Sequence, residues 1–461
     1  FSRTLNPALN GGGTKGLLSF IDGPQTSTTK NRFAPRFGFA YSLNDKTTVR
    51  GGYGLFYVPI SLEPTTIQGT NFTTSLAQST QTNQVLVGSP TVQNTTFLSD
   101  PFPVGGTTAL GPTPGASLGN RTRLGQQVFA VEPRRVAPYN QQWNLVLQRE
   151  LLRNTVLDVA YVGGRGINLP IQGIELNQIN PAIIENARAS LTTPNSCGAT
   201  TTNTNLTIAC PSITAYFNQT VNNPFAGQLN IPGSSLNGAT VTRLALLRPF
   251  PQYTSVQLFR PHRGESYYHA MQINLQRRFT NGLSATVNYT WSKSLDTGGV
   301  GNGAAFLDAT AVANIYDFKK EKSYSTFDVP HRFVASWTYE LPFGRRKWIG
   351  KNWGTLANTF LGGWQTAGTF SWQTGTPITI TAPSFTVGLG NAAYRPNRLP
   401  GDPIPSIDDA RERVRNGGVW FDTSLFQIPP DFVFGSGART YNDVRRDNYK
   451  NLNLSLLKSF Y

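Results

Sequence analysis

The sequence predicts an all-β fold: a transmembrane antiparallel β-barrel, carried here as about nine strands of a larger barrel with long extracellular loops. Three observations predict it. Residues 267–293, YYHAMQINLQRRFTNGLSATVNYTWSK, form two arms that each alternate with period two, the signature of a strand rather than a helix. Charged residues make up 14% of the 461-residue chain, against roughly 25% in ordinary soluble domains. Finally, short turns and long polar tracts alternate along the chain, as the periplasmic turns and external loops of outer-membrane barrels do.

In the organising hairpin, Met271, Ile273 and Leu275 share one face and Gln272, Asn274 and Gln276 the other. On the return arm, Ala285, Val287, Tyr289 and Trp291 oppose Ser284, Thr286, Asn288 and Thr290. Thr280-Asn281-Gly282 joins the arms, and Asn-Gly supplies the positive φ angles of a tight turn. Each arm is close to the roughly 9 to 11 residues that a tilted strand needs to cross a bilayer. One face suits lipid and the other a wet lumen.

Taken in order, residues 1–31 read as loop. Phe37, Phe39, Tyr41 and Leu43 then alternate, Asn44-Asp45-Lys46 turns the chain, and Val49, Tyr53, Leu55 and Tyr57 alternate back. A tract rich in Thr, Ser, Gly, Pro and Asn fills 59–139. The next hairpin runs through Trp143, Leu145 and Leu147, turns at Leu152-Arg153-Asn154, and returns through Thr155, Leu157, Val159 and Tyr161. A second tract occupies 163–266, with a projecting strand at 253–259. After the organising hairpin and a loop over 294–327, Phe333, Ala335, Trp337, Tyr339 and Leu341 alternate. A basic turn over 342–361 leads to Trp364, Phe370 and Trp372, and after a loop to about 448 the segment NLNLSLLKSFY begins a last strand. The aromatics Trp143, Tyr161, Tyr289, Trp291, Trp337, Tyr339, Trp364 and Trp372, with Val287, are expected on the lipid face, the Trp and Tyr residues forming interfacial girdles. A sugar-stacking set is the alternative reading of the same rings.

Single-chain bacterial barrels have an even number of strands, so a count of nine reads as part of a barrel. An open sheet would leave two unpaired edges in lipid. No segment approaches the roughly 20 apolar residues of a spanning helix, so a membrane crossing here needs a closed sheet.

The formal charge is +16, from 40 basic and 24 acidic residues, but the basic residues are dispersed and no nucleic-acid motif accompanies them, so no nucleic-acid partner is expected. Arg149, Arg153, Arg277, Arg278, Arg345, Arg346, Lys347 and Lys351 sit at predicted turns, suited to water and anionic headgroups. Cys197 and Cys210 lie in a polar stretch without a metal-completing His or acid. They are a possible disulfide, worth about 3 kcal/mol and requiring an oxidising compartment, or else a pair of free thiols.

Motifs for bond chemistry are weak. Gly115-Ala116-Ser117-Leu118-Gly119 matches a nucleophile elbow in letters but lies in GPTPGASLGN, away from any strand-to-helix turn. Asp296-Thr297-Gly298 lacks a second copy to share a proton and reads as a turn after a strand. Gly11-Gly12-Gly13-Thr14-Lys15 lacks the spacing of a phosphate loop. His262, His269 and His331 are scattered and propose no metal set. Asp408-Asp409 with a distant His is the remote alternative of a surface hydrolase on the rim. No catalytic residue and no cofactor is expected.

The runs NRFAPRFGFAYSLNDKTTVRGGYGLFY, PYNQQWNLVLQRELLRNTVLDVAYVGGRG, YYHAMQINLQRRFTNGLSATVNYTWSKSLD, FDVPHRFVASWTYELPFG and GGWQTAGTFSWQTGTPITI together resemble the C-terminal barrel of Oar-like TonB-dependent receptors of the acidobacterial type. The resemblance covers nearly the whole chain outside the variable loops. It implies an outer-membrane transporter with a plug inside about 22 strands, energised through TonB, in a Gram-negative bacterium. It also implies that 1–461 is part of the receptor barrel, that a plug and an N-terminal carboxypeptidase-regulatory-like domain precede it, and that further strands follow. The expected activity is energised uptake of a scarce or bulky nutrient; a passive porin or a surface adhesin is the alternative. Expected partners are outer-membrane lipid, the TonB complex through the plug, and an external ligand that the residues leave unidentified.

Overall fold

A computed structural model describes residues 32–57, 124–130, 136–171, 174–192, 212–226, 235–258, 261–298, 312–345, 347–382 and 394–460. Nine strands build one antiparallel sheet in sequence order: β1 (Arg36–Asn44), β2 (Thr47–Tyr57), β3 (Tyr139–Leu152), β4 (Thr155–Pro170), β5 (His262–Thr280), β6 (Leu283–Asp296), β7 (His331–Glu340), β8 (Trp364–Gln373) and β9 (Tyr449–Lys458). The two-residue strand Ser323–Tyr324 pairs beside β6. This is the meander that the alternating runs predict. Among the described residues the sheet is open, with β1 and β9 at its edges.

Register shows how regular the wall is. One rung crosses all nine strands through Tyr41, Val49, Leu147, Val159, Ile273, Tyr289, Phe333, Trp372 and Lys450. The adjacent rung runs Ser42, Thr48, Gln148, Asp158, Asn274, Asn288, Val334, Ser371 and Asn451. Successive side chains along a strand point to opposite faces, so the first rung lies on an apolar face and the second on a polar one. A one-residue slip anywhere would exchange the faces.

At one end of the wall three hairpins close through two-residue turns, at 45–46, 153–154 and 281–282, each beside a register shift. Asn281 (φ 51°) and Gly282 (φ 77°) both take positive φ, the type I′ geometry that Asn-Gly favours. The fourth connection at this end, 341–363, is longer and carries a short helix.

The opposite end differs from the sequence expectation in two ways. β4 continues to Pro170 and β5 begins at His262, so both strands run further than the reading that placed 163–266 in a loop. The extension was hidden because Gly163-Gly164-Arg165-Gly166 has no apolar alternation to read. The described parts of the long connections are also folded. They contain α1 (Pro181–Thr192), α2 (Ile213–Asn218), α3 (Arg243–Leu247) and α5 (Ile407–Arg415), while α4 (Thr355–Leu361) lies in the turn at the other end. A three-stranded sheet joins Gln127–Ala130, Ser255–Leu258 and Ile174–Glu175, which confirms the projecting strand expected near 253–259.

Among the described residues, the buried apolar clusters lie in this cap and not in the wall. Leu124, Val128, Phe250, Tyr253 and Val256 form one, and Ile171, Ile174, Leu258 and Val312 another. The largest gathers Ile179, Ile184, Phe217 and Leu244 around Phe432, which comes from the β8–β9 connection. The cap is therefore a packed body made from several connections.

Candidate functional site

The apolar face carries its aromatic side chains in two levels. Tyr289, Trp291, Trp143, Tyr161 and Trp372 lie toward the cap, and Trp337, Tyr339 and Trp364 lie near the tight turns. Tyr339 is level with Leu283 and His331 with Trp291, so Tyr339 and Trp291 lie about 27 Å apart measured along the strand at 3.4 Å per residue. A strand tilt of about 40° reduces that to about 21 Å of height, within the roughly 25 Å of an outer-membrane apolar band. Between them lie Leu157, Leu275, Val287, Phe370 and Leu452. Trp291 is 55% exposed and Leu454 64%.

Two histidines belong to the upper level. Tyr161 Oη lies 2.7 Å from His269 Nδ1 and Tyr289 Oη 2.8 Å from His331 Nδ1, and in both couples the rings are nearly parallel. The third histidine, His262, lies at the start of β5 with Nδ1 2.7 Å from the Val136 carbonyl. Bulky rings on this face lie over glycines of the next strand. A Cβ on Gly163 would stand 2.3 Å from the Trp143 ring, and one on Gly368 2.5 Å from the Trp337 ring. Glycine at these rungs lets the indoles lie flat along the wall.

The polar face presents hydroxyls and amides. Ser284, Thr286, Ser336, Thr338, Asn453 and Ser455 line a shallow trough of about 380 Å³. A second, of about 590 Å³, is bordered by Asn140, Gln142, Asn144 and Tyr268 beside Gly52 and Gly164. Such a surface wets well and binds weakly at any one point, which suits a passage.

Among the described residues, two buried ion pairs and a third, half-buried one fasten the cap. Arg439, fully buried, pairs with Asp296 at the end of β6; Arg395 pairs with Glu321 at 2.5 Å; and Arg445 pairs with Asp328 at 2.6 Å. Each joins the β8–β9 connection to β6 or to the β6–β7 connection. Burial pulls the Arg439 guanidinium below its usual value, and the neighbouring Asp296 carboxylate opposes that pull. The β4–β5 connection is tied in by Gln178, whose Nε2 donates to the Ala313 carbonyl and whose Oε1 accepts from Ile315 N–H, both at 2.8 Å. Glu175, also buried, accepts from the N–H groups of Asn177 and Val256 and from the Ser255 hydroxyl.

By register, Trp143, Tyr161, Val287, Tyr289, Trp291, Trp337, Tyr339, Trp364 and Trp372 lie on one face of the sheet. Asp296 closes a strand as read, but it also holds the Arg439 ion pair, which the sequence reading missed. Asp408 and Asp409 lie in the first turn of α5, where Ser406 Oγ caps Asp409 N–H and Asp408 pairs with Arg411. Cys197, Cys210, Gly115–Gly119 and Gly11–Lys15 lie outside the described residues.

Among families of known proteins, the model described as "Outer membrane beta barrel domain" matches residues 6–461. No curated protein matches the chain. Among solved structures, the chain is similar to the outer membrane transporter YddB from Escherichia coli, at 9% identity and a TM-score of 0.35, covering 92% of this chain and 34% of that one. It is similar to the siderophore receptor PirA from Acinetobacter baumannii at 8% identity and 0.34, covering 93% and 35%. For the FrpB iron transporter from Neisseria meningitidis the values are 9% and 0.30, covering 78% and 30%. The chain thus spans about a third of the length of each.

Proposed function

We propose, from the premise that this chain belongs to the outer-membrane β-barrel domain family, that its nine strands are part of the wall of a TonB-dependent receptor that draws a scarce or bulky nutrient inward. Its place is the outer membrane of a Gram-negative bacterium. The observation that carries the reading is the union of a two-faced wall with a packed cap at one end. An open sheet cannot persist in lipid, because its edge N–H and C=O groups would be unsatisfied. In this reading the wall belongs to a larger closed barrel.

In this reading the apolar face meets lipid, its aromatic levels sit at the two membrane interfaces, and the polar face lines the lumen. The tight-turn end is periplasmic and the cap is external. The wall performs no bond chemistry. Capture falls to the cap, and gating to a plug elsewhere in the whole protein that contacts TonB. The Oar-like resemblance of the strand runs points the same way.

Planar-bilayer recording on the intact protein tests this. A plugged receptor gives no steady ion conductance until the plug is displaced, and uptake stops when TonB is deleted. Steady conductance with TonB-independent passage would instead make it a passive porin.

A further inference from the structure

Four connections close the wall at its tight-turn end, and three of them are two-residue turns. The fourth spans 23 residues, 341–363, LPFGRRKWIGKNWGTLANTFLGG, with four basic side chains and no acidic one. A simple hairpin needs none of this length.

The segment is folded on its polar side. Arg345 N–H donates to Asn358 Oδ1 at 2.8 Å, Arg345 Nε to the Trp353 carbonyl at 3.0 Å, and Arg345 Nη2 to Thr355 Oγ1 at 2.9 Å. Lys347 Nζ reaches Glu340 at 2.5 Å. Its apolar side has no such partners. Leu356 and Phe360, one helical turn apart on α4, are 79% and 70% exposed; Leu361 is 54% and Trp348 87% exposed. No residue of α4 is buried. Exposed apolar groups this dense on a well-tied segment mark a contact surface.

Its position selects the contact. Trp364 and Lys458 face each other on the apolar side of the wall. From there Trp364 Nε1 donates to the Phe360 carbonyl at 3.1 Å, and Lys458 Nζ donates to the carbonyls of Phe360 and Gly362. The C-terminal end of α4 is thus held by apolar-face side chains and continues that face past its last aromatic level. Arg345 and Lys351 lie exposed beside it.

We infer that residues 343–361 form an interfacial foot. The foot lays Leu356, Phe360, Leu361 and Trp348 into the periplasmic leaflet of the outer membrane and sets Arg345 and Lys351 beside anionic phospholipid headgroups. Short amphipathic segments with basic flanks bind lipid interfaces through buried apolar area and headgroup attraction. The foot would fix the depth at which the β7–β8 hairpin rides. The inference rests on the proposed lipid contact of the apolar face, so its test includes a probe of that face.

Nitroxide labels placed by L356C, V287C and D45C, each with C197S and C210S in the intact protein, are compared in bilayers containing phosphatidylglycerol. Collision rates with oxygen, which enters lipid, and with a water-soluble nickel chelate are read for each. The expected result is an oxygen-to-chelate ratio at 356 several-fold above that at 45 and below that at 287. A ratio at 356 equal to that at 45, with 287 still lipid-like, overturns the foot and leaves the wall reading standing. Shielding of 356 from both reagents assigns the patch to a protein partner and overturns the foot. Water access at 287 removes the foot and the wall reading together.

Discussion

The wall and the cap are built from one chain by opposite rules. In the wall, Leu454, Trp291 and Leu145 are exposed while hydroxyls and amides line the other face. In the cap, Phe217, Ile184 and Val256 are enclosed, and the buried carboxylate of Asp296 is paired with Arg439. The wall is stabilised by a repeating hydrogen-bonded ladder one layer thick. The cap depends on specific long-range contacts. The wall should therefore respond to substitutions by face, and the cap by contact.

The largest effect is expected where the cap is most specific. Asp296→Ala leaves a fully buried guanidinium without its counter-ion, and losing one member of a buried pair costs about 3 to 5 kcal/mol. Limited proteolysis should then cut the cap while the wall keeps its resistance to detergent and heat. Removing both charges, with Asp296→Leu and Arg439→Met, should restore most of the protection, because no unpaired charge remains.

The face rule comes next. Val287→Arg should cost about 2 to 4 kcal/mol in an unfolding titration from lipid, while Asn288→Arg, one residue along, should be tolerated. Equal effects at the two sites would remove the assignment of faces.

Overpacking separates the regions further. Gly368→Val drives a side chain into the Trp337 ring, and Ala410→Leu drives one into the enclosed side of α5. Overpacking costs about 1 to 3 kcal/mol. The wall variant should fall at the low end, since the indole can swing outward, and the cap variant at the high end. Denaturation followed separately for cap and wall would check the order.

The smallest effect is electrostatic. Asp447 accepts both Nε and Nη2 of Arg411, which docks α5 beside the start of β9 and holds the Asp447 carboxyl below its usual range. A depressed carboxylate stabilises the fold above its unfolded pKa and loses that contribution as pH falls through the folded one. Amide exchange in α5 should therefore accelerate only below the ordinary carboxylate range. In Asp447→Asn the acid step should disappear.

The wall was legible in the sequence because its rule is local. Period two, Asn281-Gly282 and the polar–apolar exchange can all be read within one hairpin. The facing of Trp337 or Tyr161 follows without knowing the neighbours. The cap was not legible because its partners are remote: Asp296 and Arg439 are 143 positions apart, and Gln178 and Ile315 are 137 apart. Some signals were present. Asn180 before Pro181 announces α1, and its side chain does accept the Ala182 N–H. Ser406, three residues before Asp409, announces α5. The Tyr–His couples had no local signal, since each joins different strands.

The most direct test of the two-faced wall is a label scan along β6, from residue 284 to residue 291, in native outer membranes of the producing cell. Lipid-soluble and water-soluble quenchers should alternate in effect with period two, lipid contact falling at Ala285, Val287, Tyr289 and Trp291. A uniform profile, or an alternation with the opposite phase, would contradict the account.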